Sequence, residues 1–141
     1  VIGVNYKITG NNLQLVAVEL GAGEKVYGET GTMVYMNANK NMEVKMKGGL
    51  LKAIGRKFAG ETMFLTEFTP TDGEGLVAFG GNTPGTIKPI ELGAGREFIV
   101  QKNAFLCAED SVDLKGGISG FLLNKLQQTH LSTSFKSKMR R

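Results

Sequence analysis

Six cations crowd the stretch from Lys40 to Glu61: Lys40, Lys45, Lys47, Lys52, Arg56 and Lys57, set against Glu43 and Glu61. Within it, the paired glycines Gly48-Gly49 leave backbone amides without side-chain cover. Such amides can approach a phosphate or carboxylate while ammonium groups flank it. Lys45, Lys47, Gly48, Gly49, Lys52, Arg56 and Lys57 are therefore the candidate anion-binding set. An anionic lipid headgroup or RNA would be the ligand, although only Tyr35 and Phe58 lie near these cations and RNA stacking platforms need more aromatics. The competing reading is a solvated strand edge and corner, where lysines discourage edge-to-edge aggregation.

Other chemistry finds less material. Gly21-Ala22-Gly23 and Gly93-Ala94-Gly95 have the start of a dinucleotide fingerprint. That motif needs a third glycine and a helix N-terminus to hold a pyrophosphate, whereas Val26 and Phe98 occupy the third-glycine positions and strand patterns follow. Both are turns. Cys107 lies in the apolar run Phe105-Leu106-Cys107-Ala108, which predicts a buried small hydrophobe rather than a reactive thiol. His130 is the single histidine and has no nucleophile motif around it. One histidine, one cysteine and scattered carboxylates offer no metal-ligand spacing. Nothing fixes the separation of Glu24, Glu29 and Glu61, so they read as turn or surface residues rather than an acid–base pair. No catalytic, cofactor or metal residues are expected, and the chain is read as a non-enzyme.

What must position any site is a set of short strands. With 141 residues, 20 of them glycine and 3 proline, and 41% hydrophobic content, the chain has the makings of one all-β domain with frequent turns. Met42-Glu43-Val44-Lys45-Met46-Lys47 alternates cleanly and predicts a half-buried strand, with Val112-Asp113-Leu114-Lys115 as its counterpart. Leu13 to Leu20 is apolar on both faces and predicts a strand covered on both sides. Shorter strands are expected over 25–29, 32–36, 62–68, 76–79, 86–90, 97–101 and 104–108. Residues 50–59 fit either a short helix, with Leu51, Ile54 and Phe58 on one side, or a bulged loop.

The pentapeptide Glu-Leu-Gly-Ala-Gly occurs twice, at 19–23 and 91–95. Similar residues follow each copy in register: Val26 and Phe98, then Thr32-Met33-Val34 and Ala104-Phe105-Leu106, with a Lys-Gly-Gly corner at 47–49 and 115–117. This predicts a domain over 1–124 built from two internal repeats, about 1–70 and 71–124. Charge marks off the remainder. All thirteen acidic residues precede position 125, and residues 1–124 come to about −1, so the net +4 resides in Lys125, Lys136, Lys138, Arg140 and Arg141. Residues 125–141 are thus a basic segment, either solvated and frayed or able to meet an anionic surface. The unpaired cysteine and the lack of a signal peptide or an apolar run of the ~18–20 residues that span a bilayer suggest a bacterial cytoplasmic protein.

Several motifs together resemble a known family. They are Gly23-Glu24-x-Val26-Tyr27, Gly31-x-Met33, Lys47-Gly48-Gly49-Leu50-Leu51, Arg56-Lys57-x-Ala59-Gly60-Glu61 and Phe64, then Pro84-Gly85-x-Ile87-x-Pro89-Ile90 and Gln101-Lys102-x-Ala104-Phe105-Leu106-x-Ala108. From about Tyr6 to Ser119 the chain is similar to the bacterial and mitochondrial altered-inheritance-of-mitochondria family, a domain of unknown function. The resemblance implies a fold like the tryptophan RNA-binding attenuation protein: sandwich-like, short double-stranded β-helix units assembled into a ring, a homotrimer. Mitochondrial members are associated with the inner membrane, and the family supplies no catalytic residue to carry over. Its members continue through a further β unit, whereas Gly120-Phe121-Leu122-Leu123 here runs into 131–135 and the basic segment, so an abbreviated last repeat or further residues are expected. The resulting expectation is a non-catalytic, self-associating β scaffold or organiser near a membrane. The alternative is a module binding RNA or phospholipid headgroups at the Gly-Gly corner.

Overall fold

Alternation along Leu15-Val16-Ala17-Val18-Glu19-Leu20 buries Val16, Val18 and Leu20 and leaves Glu19 exposed. One face of this strand is covered and the other is partly open, in place of the expected cover on both sides. Leu13, just before it, is exposed. The same local logic produces an all-β molecule. The computed structural model describes residues 4–37, 42–46, 57–58, 61–62, 64–117, 120–125 and 132–139. Its strands are β1 (Asn5–Thr9), β2 (Leu15–Leu20), β3 (Val26–Glu29), β4 (Met33–Met36), β5 (Met42–Met46), β6 (Lys57–Phe58), β7 (Glu61–Thr62) and β8 (Leu65–Pro70). They continue with β9 (Gly75–Gly80), β10 (Gly85–Leu92), β11 (Glu97–Val100), β12 (Phe105–Glu109), β13 (Val112–Gly117), β14 (Gly120–Lys125) and β15 (Ser132–Met139). One turn of 3-10 helix, Lys102–Ala104, precedes β12. The helix-or-loop expectation for 50–59 falls largely outside the described residues, and β6 pairs with β7 at its end.

All strand pairs are antiparallel, in sheets ordered β1-β2-β9-β4, β10-β15-β12-β3-β8-β5 and β11-β14-β13. One order of six strands is used twice. β9 lies between β2 and β4, and β15 lies between β10 and β12; β8 lies between β3 and β5, and β14 between β11 and β13. Registers agree as well. Leu20 stands opposite Gly75, and Leu92, its counterpart in the second pentapeptide, stands opposite Ser132 at the same end. β4 shifts register between Met33 and Tyr35 against β9, and β12 shifts between Phe105 and Cys107 against β15. Counted from the two pentapeptides, these shifts fall at the same place.

Two expectations about boundaries need correction. A division near residue 70 would part β8 from β9, yet β9 completes the set that begins with β2. The change from one set of strands to the other falls between Gly80 and Gly85. Residues 132–139 are not a frayed tail, because β15 pairs on both sides within the six-stranded sheet. Its backbone groups are held by β10 and β12, whereas its Ser, Thr and Lys content alone suggests a solvated terminus.

The two sets are joined where β12 pairs with β3: Cys107 opposite Gly28, Ala108 opposite Tyr27, Glu109 opposite Val26. Each core borrows across this joint. One cluster holds Val16, Val18, Leu20, Val26, Phe68, Val77 and Phe79 of the first set with Ile87, Leu106 and Cys107 of the second. The other holds Leu92, Val100, Phe105, Ala108, Val112, Leu114 and Leu123 with Tyr27 and Leu65 of the first. Each fully buried side chain of this size stabilises the fold by about 1.5–3 kcal/mol. Gly28 makes the joint possible, since a Cβ there would lie 2.8 Å from the Leu106 carbonyl oxygen and 2.8 Å from the Phe79 ring. Gly28→Ala should therefore force β12 away and destabilise the chain by about 1–3 kcal/mol, the typical range for overpacking. Denaturant melts check this; an unchanged midpoint would mean that the joint has slack.

Candidate functional site: the exposed apolar edges

Of the sequence-derived anion set, the described residues include Lys45 and Lys57. Lys45 lies on β5 with its side chain exposed and its Nζ 3.4 Å from Glu43 Oε1, a surface ion pair of small energetic weight. Lys57 is in β6, while Lys47, Gly48, Gly49, Lys52 and Arg56 lie outside the described residues, as does His130. Glu24 has a turn role, its Oε1 accepting the Gly21 N–H at 2.7 Å. Both pentapeptide glycine pairs form turns: Gly23 and Gly95 have φ of 81° and 78°, and the N–H groups of Glu24 and Arg96 donate to the Gly21 and Gly93 carbonyls. Each turn leads into a strand, so no helix N-terminus awaits a pyrophosphate. Cys107 is buried, and burial pushes its thiol well above the ordinary cysteine range, against reactivity. Among the described residues no group of three His, Cys, Asp or Glu could hold a metal ion.

What the fold brings to the surface instead is apolar. Among the described residues β4 has a strand partner on one side only, β9, and all four of its side chains, Met33, Val34, Tyr35 and Met36, are exposed. β11 is likewise an edge, paired with β14 alone, and presents Phe98 and Ile99 to solvent. β5 ends the six-stranded sheet, so the strand expected to be half-buried carries Val44 and Met46 on an exposed face. Val44, Met46 and Phe64 line an open groove of about 480 Å³, with Glu29, Lys45 and Thr66 also on its walls. Unpaired N–H and C=O groups beside apolar side chains favour the addition of another strand. Sequence reasoning placed these strands but not their exposure. The available signal was the absence of polar alternation in Met33-Val34-Tyr35-Met36, which reads as a strand wanting cover on both faces.

A family model described as mitochondrial biogenesis AIM24 matches residues 6–134. The chain belongs to that family. A relative, an uncharacterised protein of Streptococcus pyogenes serotype M6, is 37% identical over 108 residues, which cover 72% of this chain and 43% of the relative. The X-ray crystal structure of a Streptococcus pyogenes protein superposes with a TM-score of 0.72 at 31% identity, over 96% of this chain and 65% of that one. The chain thus spans less than half of the curated relative it matches. Among its described residues, no helix is long and apolar enough to cross a membrane.

Proposed function

We propose that this AIM24-family chain is a non-catalytic scaffold that associates with copies of itself. The observation that carries this reading is β4, an edge among the described residues with every side chain apolar and exposed. An exposed apolar edge of this kind is an aggregation liability for a monomer and an asset for a symmetric assembly. The trimer implied by the family resemblance is the assembly we propose, in the bacterial cytoplasm and in contact with a membrane through a surface of the assembly. The buried, unpaired Cys107 supports a reducing setting. Anion binding at the Gly-Gly corner draws no support from Lys45, which is engaged with Glu43.

Light scattering at low salt and near 0.5 M salt tests the reading. Apolar strand edges predict a mass of three chains at both, because salt at that level screens surface charge without weakening apolar burial. A monomer at both salts would remove the proposal, and an assembly lost at high salt would point to charged contacts instead.

A further inference from the structure

We infer that Lys88 and Lys136, directly opposed on β10 and β15, hold a phosphate-bearing anion between them. The inference does not depend on self-association. It follows from matching the two sets of strands row by row. In the first set Val16, Phe79 and Met33 stand opposite one another across β2, β9 and β4. Counted from the two pentapeptides, Val16 corresponds to Lys88 and Met33 to Phe105. In the second set the same row reads Lys88, Lys136 and Phe105 across β10, β15 and β12. Val16 and Phe79 are 0% exposed and belong to the first core, whereas Lys88 is exposed. Where one set has two core hydrophobes, the other has two opposed cations.

Like charges directly opposite on antiparallel strands destabilise the pair, since their Cβ atoms lie only about 4.5–5.5 Å apart. A bound anion removes that repulsion. Among the described residues no ion pair reaches Lys88. Lysines also guard open strand edges against other chains, but that duty does not fit this row. β15 lies between β10 and β12, so Lys136 is on no edge. β10 is itself engaged beside Lys88: the Gly85 N–H donates to the Asn12 carbonyl and the Ile87 N–H to Gln14 Oε1, both at 2.6 Å. The neighbouring rows suit phosphate. Thr86 stands opposite Lys138 on the same face, about 6.8 Å along the strands, and the next pair the other way is Ile90 and Ser134. These three pairs hold three lysines, a threonine and a serine, and no carboxylate. A phosphate monoester carries about −1.5 to −2 charges at pH 7, which matches two opposed lysines acting as point charges. A lipid with a terminal phosphate and a soluble phosphate compound share this chemistry.

Lys88 is exposed, so Lys88→Gln leaves both cores intact and tests the site in the full chain. Inorganic phosphate should raise the wild-type thermal midpoint above that in sodium chloride of equal ionic strength, which screens the lysines without bridging them. Lys88→Gln should need roughly ten- to hundredfold more phosphate for the same rise. Lys7→Gln, which removes one exposed cation from β1, should respond as the wild type does. Flotation with phosphatidylcholine vesicles containing phosphatidate separates the two sources. Capture of the wild type that is lost in Lys88→Gln assigns the site to a lipid phosphate. Protection by inorganic phosphate without capture assigns it to a soluble phosphate compound. No phosphate-specific rise together with no capture would overturn the proposal. Equal responses of the wild type and Lys88→Gln would do the same. So would equal losses in Lys88→Gln and Lys7→Gln, which would mark attraction to net positive charge alone.

Discussion

Truncation after Leu131 is expected to abolish cooperative folding of residues 85–125, not merely to trim a tail. β15 stands opposite all eight residues of β10 and also pairs with β12 around Phe105, Cys107 and Ala108. Its removal strips β10 of its strand partner and β12 of one of its two. Net contributions of about 0.5–1.5 kcal/mol per ladder hydrogen bond, over roughly eight such bonds, approach the whole stability of about 5–15 kcal/mol of an ordinary domain. β12 also carries Leu106 and Cys107 into the first core, so damage should spread across the joint. Hydrogen exchange on the truncated chain would show loss of protection from Gly85 onward. Protection in β10 and β12 equal to that of the full chain would mean that β15 contributes nothing to the sheet.

The second large effect is at Tyr27. Its ring is fully buried in the second core, 6.0 Å from the Phe105 ring, and its hydroxyl donates to the Val112 carbonyl at 2.6 Å. A residue of the first set thereby closes the second. Tyr27→Ala should cost about 3–5 kcal/mol through the cavity it leaves, lowering the thermal midpoint by roughly 10 °C or more. Tyr27→Phe keeps the ring and leaves the Val112 carbonyl without this donor, so a loss of about 1–3 kcal/mol is expected. The ordering matters more than either value. If Phe proved as damaging as Ala, the hydrogen bond and not the packing would be holding the joint.

The strands inside each set were legible because their patterns are local. Met42 to Met46 alternates, Val112-Asp113-Leu114 alternates, and the two pentapeptides announce the same glycine turn. The partners were not legible. β9 follows β8 in the chain yet pairs with β2 and β4, so a boundary drawn at residue 70 from sequence similarity cut through a unit. β15 was hidden by composition, since Ser132-Thr133-Ser134 and three further polar residues give no apolar face to recognise. Exposure failed for a related reason. Val44 and Met46 carry the pattern of an inward face, but only the sheet order reveals that β5 is an edge. Candidate sites built on charge alone therefore drew attention to the Gly-Gly corner, while the apolar edges were read as ordinary strands.

The placement of β9 between β2 and β4 also sets a timetable for the chain as it is made. β2 is complete once Leu20 has been added, with β1 already beside it, but its second partner begins only at Gly75. At synthesis rates of roughly 5–20 residues per second, the nascent strand waits about 3–11 s for that partner. Throughout this interval Val16, Val18 and Leu20, each almost wholly sealed in the finished molecule, face water on a growing chain. Pairings so distant in sequence are also slow to find by diffusion. The first core is therefore the part of the molecule that stays uncovered longest while the chain is being made.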